Sequence, residues 1–194
     1  MKKVANFISI IGHPLLTIPI FVMIVMFGFK GFSEAALISA LIVGGIFIPM
    51  ILWMYIKSKN GTYTNFDVSD KNERKSLFLF AIPLLIVVTV VLFATNQSKN
   101  LCISALFALI LTVISQCINF FVKSSLHVSL NIYLAALIFT VNFEMGIAVL
   151  LFTVLLSWSR LELGRHTLKE VLFGASIGTI ISLTMLVTEG FIQI

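Results

Sequence analysis

The chain has 194 residues, of which 59% are hydrophobic and 11% are charged, and its mean hydropathy is +1.11. This composition lies far outside the range of soluble domains of similar length and excludes a water-soluble globular protein. The net charge of +5 is not concentrated in water-exposed sequence, so no nucleic-acid partner is expected.

A helix that spans the hydrocarbon layer of a membrane needs about 20 apolar residues. Seven apolar stretches approach that length, at 4–29, 34–56, 76–95, 101–122, 126–142, 144–158 and 168–190. The sequence between them is too short for a separate soluble domain. We therefore expect residues 1–194 to form one all-α membrane domain, a polytopic transmembrane helix bundle. It should contain about seven membrane-spanning or membrane-embedded helices, six being the alternative.

The first stretch begins like a secretory signal, because Met1-Lys2-Lys3 precedes an apolar run. The run is longer than a signal peptide and no pair of small residues marks a cleavage site after it. We expect a retained first span. His13-Pro14 within it predicts an interruption of the helix, since proline cannot continue the hydrogen-bond pattern.

Residues 57–75 form the only long polar stretch, and two shorter polar clusters stand out at 123–127 and 157–170. Two spans separate the first cluster from the second. Two more separate the second from the third if residues 126–158 form a helical hairpin. An even number of crossings returns the chain to the same face of the membrane, so all three clusters are expected on one face.

The two cysteines, Cys102 and Cys117, both lie in the fourth stretch. Fifteen residues of helix separate them by about 22 Å along the axis, which excludes a disulfide between them. Each is expected to be a small buried hydrophobic residue.

The hairpin follows from length, because residues 126–158 as a single helix would measure about 50 Å against a hydrocarbon layer of about 30 Å. The polar residues at 142–146 offer the break, and Glu144 would otherwise lie within lipid. We expect the turn there.

Positive charge indicates which face carries the three clusters, since lysine and arginine accumulate in short cytoplasmic loops. On the face of the clusters lie Lys2, Lys3, Lys57, Lys59, Lys71, Arg74, Lys75, Lys123, Arg160, Arg165 and Lys169, against Lys30 and Lys99 on the other. We expect a multi-pass protein of the plasma (inner) membrane whose clusters face the cytoplasm.

The last cluster carries the strongest chemical pattern, in which Arg160, His166 and Glu170 precede the final apolar stretch. If the helix begins near His166, Glu170 lies on the same face and can hold an imidazole proton, leaving the other ring nitrogen as a nucleophile. Arg160, Arg165 and the helix amino terminus would favour a bound phosphate. A second interpretation is open, in which Glu170 completes a capping box with Thr167.

Two motifs resemble signatures of the type 2 phosphatidic acid phosphatase superfamily, whose members are membrane lipid phosphatases related to vanadium haloperoxidases. The motifs stand in the same chain order as the signatures. Ser159-Arg160, five residues, His166, three residues and Glu170, followed by Gly174 and Gly178, resemble the third signature. Ser125-Leu126-His127 resembles the second, which is usually Ser-Gly-His. The resemblance covers roughly residues 67–178.

The resemblance implies that His166 attacks phosphorus and forms a phosphohistidine, that Glu170 orients it, and that His127 protonates the leaving oxygen. Ser125, Arg160 and backbone N–H groups would then hold the phosphoryl oxygens. Lys123 has two interpretations, as an interfacial lysine or as a phosphate ligand.

The chain departs from the family pattern at three places. In the first signature Arg74 stands for the arginine, but Asp67 occupies the position of the lysine seven residues earlier, so Lys71 or Lys75 would have to replace it. Leu126 replaces a glycine, and Glu170 replaces an aspartate that is one methylene shorter.

We therefore expect an integral membrane phosphatase that acts on a lipid phosphate or lipid pyrophosphate, with membrane lipids as its partners and with neither a metal nor another cofactor. A lipid phosphotransferase and a non-catalytic protein that binds or transports an anionic lipid are the alternatives. Small residues such as Gly44, Gly45, Gly174 and Gly178 permit close helix contacts, within one chain or between chains, so the oligomeric state is open.

Overall fold

The computed structural model describes residues 1–64, 67, 68 and 70–193, without the side chain of Lys71. This part of the chain is helical and contains no strand, which confirms the predicted all-α class. In chain order the helices are α1 (Lys2–Ile11), α2 (Pro14–Phe29), α3 (Phe32–Lys59), α4 (Lys71–Ala94), α5 (Lys99–Asn119), α6 (Leu126–Phe139), α7 (Phe143–Glu162) and α8 (Leu168–Thr188).

Among the described residues, 5 helices are long and apolar enough to cross a membrane, namely α3, α4, α5, α7 and α8. The number rises to 6 if α1 and α2 form one broken span. Helix α6 is apolar but has only 14 residues, a rise of about 21 Å, which is less than a full crossing. The chain is thus a membrane protein, and α6 is the predicted stretch that falls short of spanning length.

The interruption predicted at His13-Pro14 is confirmed. Helix α1 ends at Ile11, and Pro14 is the first residue of α2. At this position the N–H that proline lacks would not take part in a helical hydrogen bond. Gly12 lies in the break against α7, where a Cβ atom would be 2.8 Å from Leu156 Cδ1. A larger residue at this position would require the side chains of Leu156 and Phe152 to move.

The chain divides into two compact units. The first unit consists of Met1–Pro14 together with Asn96–Ile194, and the second is Leu15–Thr95. The expectation of a single membrane domain stays a prediction. Unexpectedly, α1 groups with the carboxyl-terminal half of the chain, which carries the second and third motifs.

The first unit contains α1 and α5 to α8. Helix α7 packs against α1 and α6, and α8 packs against α5, α6 and α7. Buried side chains from three helices, such as Leu111, Tyr133 and Met185, form the apolar core between α5, α6 and α8.

The predicted hairpin is present as α6 and α7, which pack against each other and are joined by residues 140–142. Asn142 ends the turn, because its side-chain oxygen accepts a hydrogen bond of 2.9 Å from the backbone N–H of Met145. The start of α6 and the end of α7 therefore lie at the same end of the hairpin.

Two glycines bring α8 into backbone contact with α6. A Cβ atom on Gly174 would be 2.5 Å from the carbonyl oxygen of Ser125, and one on Gly178 would be 2.8 Å from that of Ser129. The backbone N–H of Ser125 donates to the carbonyl of Glu170 at 3.0 Å. These close contacts, all within one chain, fix the start of α6 beside the start of α8.

The second unit contains α2 to α4. Residues Ala40–Phe47 of α3 are wound as a π-helix, and Gly45 within it packs against Val88 of α4, where a Cβ atom would be 2.9 Å from Val88 Cγ2. Tyr63 joins the two helices, since its hydroxyl lies 3.3 Å from Trp53 Nε1 and 2.6 Å from Ser76 Oγ.

Both cysteines are free, as expected. Cys102 is buried, in agreement with its predicted role as a small hydrophobic residue, but Cys117 is exposed on the surface of α5. The prediction of burial was wrong for Cys117 because both cysteines lie in the same apolar stretch, which does not show which side faces the neighbouring helices.

Candidate functional site

The connection between α7 and α8 positions the first histidine of the site. Helix α7 ends at Glu162, and Gly164 adopts a φ of +64°, a left-handed conformation that favours glycine. The backbone N–H groups of Arg165 and His166 then both donate to the carbonyl of Arg160, at 3.1 and 3.3 Å. This tight turn places His166 beside the last turn of α7 and immediately before α8.

His166 and Glu170 are in contact as the spacing predicts. His166 Nδ1 lies 2.9 Å from Glu170 Oε2, and the imidazole is fully buried. Because an ionised carboxylate only accepts hydrogen bonds, Nδ1 is assigned as the donor, and in the neutral ring Nε2 then carries the lone pair. The imidazole is thus held in the tautomer that a nucleophilic Nε2 requires.

The capping box is present as well. Glu170 Oε2 accepts from the backbone N–H of Thr167 at 3.1 Å, and Thr167 Oγ1 accepts from the backbone N–H of Glu170 at 3.3 Å. The two interpretations of Glu170 are therefore not exclusive. One carboxylate oxygen both caps α8 and orients His166.

Arg160 is fully buried in the last turn of α7. Its Nη1 donates a hydrogen bond of 2.8 Å to the hydroxyl of Ser9 in α1. The only signal for this partner in the sequence is that Ser9 is a polar residue within a mostly apolar stretch.

His127 lies in the first turn of α6, where it is buried against His13. The two imidazole rings are 4.7 Å apart and nearly perpendicular, with an interplanar angle of 83°. Asn131 joins the same elements, because its Nδ2 donates both to the carbonyl of Gly12 at 2.9 Å and to that of His127 at 2.7 Å. His13 and Asn131 were not among the predicted site residues.

Lys123 and Ser125 flank this arrangement. Lys123 Nζ donates to the carbonyl of Arg165 at 2.8 Å and lies 3.8 Å from Glu170 Oε2, so it holds the turn before α8 in place. Ser125 is fully buried, and within the described part of the chain its Oγ has no hydrogen-bond partner. A buried hydroxyl of this kind is suited to donate a hydrogen bond to a ligand or to accept one from it.

The contacts connect the predicted residues of the first unit into one set. The backbone N–H of His166 donates to the carbonyl of Arg160. Arg160 and Arg165 both interact electrostatically with His13, and the ring of His13 contacts the ring of His127. The second and third motifs, 30 or more residues apart, thus meet at one end of the first unit.

Positive charge dominates the contacts made by this set. Lys123 lies near the Glu170 carboxylate, and Arg160 and Arg165 both act electrostatically on His13. The amino terminus of α8 itself attracts anions. Arg165 lies in the connection between α7 and α8, and burial lowers the pKa of its guanidinium below the usual value. Cationic side chains and a helix amino terminus together are suited to an anionic ligand.

The first signature lies in the second unit. Arg74 is almost fully buried in the first turn of α4, and its Nε donates to the carbonyl of Val68 at 3.1 Å. Asp70 caps this helix by accepting from the backbone N–H of Asn72 at 2.7 Å. The Lys71 side chain lies outside the described residues. Phosphate binding by Arg74 and Lys71 stays a prediction.

Comparison of the chain with models of protein families, with curated proteins and with solved structures finds no match.

Proposed function

We propose that this chain is an integral membrane phosphatase that hydrolyses a lipid phosphate or lipid pyrophosphate through a phosphohistidine intermediate. One observation carries the proposal above the others. His166 Nδ1 is held 2.9 Å from a carboxylate oxygen of Glu170 at the amino terminus of a helix, next to the buried Arg160.

In the first step, His166 Nε2 forms a bond to phosphorus while the bond from phosphorus to the leaving oxygen breaks. The Nδ1 proton stays directed at Glu170, which stabilises the positive charge on the ring. His127 donates a proton to the leaving oxygen, a contribution of about 10²–10⁴-fold for general acid catalysis. In the second step, water attacks phosphorus, the N–P bond breaks, and His127 accepts the proton of the water.

Stabilisation of the transferring group falls to the positive charges and donors around it. Phosphoryl transfer depends mainly on positioning and on positive charge near the equatorial oxygens. Arg160, the amino terminus of α8 and the Ser125 hydroxyl supply these. The unpartnered Ser125 Oγ among the described residues supports this role, because a ligand oxygen would recover the hydrogen bond it lacks.

The membrane character of the chain supports a lipid as the substrate. The site lies at the ends of apolar helices, so a molecule with a phosphate head and an apolar tail can place the head among the cationic groups while its tail stays in the bilayer. The excess of lysine and arginine on the face of the motifs supports an orientation toward the cytoplasm in the plasma (inner) membrane.

The test is phosphate release by the purified protein in lipid nanodiscs from phosphatidate, phosphatidylglycerophosphate and a polyprenyl diphosphate. We expect release from at least one of them, inhibition by orthovanadate, and a strong loss in His166→Ala and His127→Ala. Ile180→Ala, on an exposed part of α8, is the control and should behave as the wild type.

Each alternative function gives a different result in the same experiment. Unaltered turnover in His166→Ala would remove the assigned nucleophile. Transfer of the phosphate to a second lipid, seen by product analysis, would identify a phosphotransferase. Binding of the lipids without turnover on any of them would identify a binding or transport protein.

A further inference from the structure

Helix α1 carries none of the motifs, yet the residues at its end contact α6 and α7, which carry residues of the second and third motifs. Ser9 accepts a hydrogen bond from Arg160 of α7, and the carbonyl of Gly12 accepts one from Asn131 of α6. His13, which follows at once, packs its ring against His127. The amino-terminal helix therefore forms one side of the site.

The contact between His13 and His127 constrains the direction of the His127 ring. Two aromatic rings at 4.7 Å and 83° are in edge-to-face geometry, in which the edge of one ring points at the face of the other. Rotation of the His127 side chain about its χ2 angle would break this arrangement. Because a proton donor must point at the atom that it protonates, the ring direction matters for general acid catalysis.

The backbone next to both rings is held as well. Asn131 Nδ2 bridges the carbonyl of Gly12, the residue before His13, and the carbonyl of His127 itself. Asn131 lies one turn after His127 on α6, so the bridge fixes the break after α1 to the first turn of α6. The two imidazoles are thus positioned by their backbones and by each other.

His13 also lies close to the positive charges of the site, since Arg160 and Arg165 both interact with it electrostatically. The break at Gly12 and His13 leaves the ring outside the regular helical surface, where it reaches the start of α6.

We propose that His13 is a positioning residue that fixes the orientation of the His127 imidazole through edge-to-face contact. For catalysis this rests on the proposed function, in which His127 is the general acid. The orientation of the ring, in contrast, is a property of the folded protein that can be measured without a substrate.

The first test is spectroscopic. The chain contains only 3 histidines, so histidine-selective NMR spectra of the protein in nanodiscs can be assigned by single substitutions. His13→Ala should move the imidazole signals of His127, because the ring-current effect of His13 is lost, and leave those of His166 near their wild-type positions. His13→Phe keeps an aromatic ring and should keep more of the shift. Ile10→Ala, at an exposed position of α1, should change neither signal.

The second test is kinetic. His13→Ala should lower kcat by about 10- to 100-fold, because a misplaced acid loses much of its contribution, with KM changed by less than about 3-fold. His13→Phe should recover a part of kcat, which a polar or charged role for His13 would not allow. Wild-type kcat in His13→Ala would overturn the positioning role.

The two proposals fail in different ways. A wild-type protein with no turnover on any lipid phosphate would overturn the proposed function and leave the spectra to decide on His13. Signals of His127 that are identical in wild type and His13→Ala would overturn the positioning role even if the enzyme is active. If His13→Ala also moves the His166 signals, the fold has changed, and the comparison of His13→Phe with the wild type decides.

Discussion

At the scale of the residue, Glu170 combines two tasks that are usually given to different side chains. Its Oε2 accepts hydrogen bonds both from His166 Nδ1 and from the backbone N–H of Thr167. The longer side chain of glutamate, compared with the aspartate of the family that the motif resembles, suits this, since a capping box uses glutamate or glutamine at this position. The substitution that looked like a departure in the sequence has a structural reason here.

Glu170→Gln separates these two tasks. Glutamine can still serve in a capping box, but it lacks the charge that stabilises an imidazolium ring. We expect kcat to fall on the order of 10²-fold or more, with a thermal stability near that of the wild type. The measurements are phosphate release and thermal unfolding in nanodiscs.

Thr167→Ala is the matched control for Glu170→Gln. It removes the other half of the capping box without touching the carboxylate, so we expect a stability loss of about 1 kcal/mol and little change in kcat. Equal losses of activity in both variants would show that helix capping alone explains Glu170.

The bond between Ser9 and Arg160 gives a second prediction at this scale. Both side chains are buried, and Ser9→Ala removes a hydrogen-bond acceptor from a buried guanidinium. We expect a loss of about 1–3 kcal/mol in the free energy of unfolding. Ser9→Thr, which keeps a hydroxyl, should lose less. A stability of Ser9→Ala equal to that of the wild type would contradict the importance of this bond.

At the scale of the element, the lengths of the apolar runs and the polar or proline residues between them were sufficient to predict most of the helices. The hairpin followed from an apolar run too long for one span, and the break after α1 followed from His13-Pro14. The placement of α1 beside α6 and α7 did not, because the amphipathic pattern of α1 shows that its faces differ but not which helices they contact. The role of His13 depends on this placement and was missed for that reason.

The contact of α8 with α6 depends on Gly174. In Gly174→Ala the new Cβ atom would meet the carbonyl of Ser125 at 2.5 Å, so the backbone of one helix must shift. We expect a loss of about 1–3 kcal/mol in stability and a large loss of activity, since Ser125 and Glu170 move apart. Thermal unfolding and phosphate release measure both.

Gly44→Ala is the control, because nothing lies within 4 Å of a Cβ atom there. It should leave activity unchanged and stability unchanged or slightly raised. If Gly174→Ala were as harmless as Gly44→Ala, the close approach of α8 to α6 would be refuted.

The far end of α8 predicts a pH dependence of stability. Glu189 follows α8, where burial raises the pKa of its carboxyl and a hydrogen bond of 2.8 Å from Ser104 Oγ acts in the opposite direction. The folded protein therefore binds a proton more tightly than the unfolded chain. Stability from this group is greatest below the unfolded pKa of about 4.5 and falls as pH rises through the raised value.

Glu189→Gln removes this dependence. We expect the variant to show a flatter profile of Tm against pH between about 4 and 7 than the wild type, with the largest gain in Tm at the upper end. Glu144→Gln, at an exposed position of α7, is the control. Parallel profiles for wild type and Glu189→Gln would contradict the raised pKa.

At the scale of the whole molecule, composition alone identified a helical membrane protein. The single membrane domain stays a prediction, and the chain forms two compact units that divide after Pro14 and after Thr95. His13-Pro14 and the polar residues 96–100 mark these places in the sequence, but a break between apolar helices does not show which helices pack together. The first unit holds the second and third motifs, and the sequence could predict their meeting only by counting crossings.

The orientation in the membrane is a prediction for the whole chain. On a background in which Cys102 and Cys117 are replaced by serine, Lys99→Cys should react with a membrane-impermeant maleimide in intact cells. Lys169→Cys should react only after the membrane is opened, because positive charge places it in the cytoplasm. Labelling of Lys169→Cys in intact cells would reverse the assigned orientation.

The shortness of α6 determines how deep a phosphate must travel. With the 140–142 turn at one boundary of the hydrocarbon, 14 residues rise about 21 Å, and the layer of about 30 Å extends about 9 Å beyond His127. Under the proposed function, a lipid phosphate would then have to descend by about 9 Å from that boundary to reach His127, along a path that also admits water.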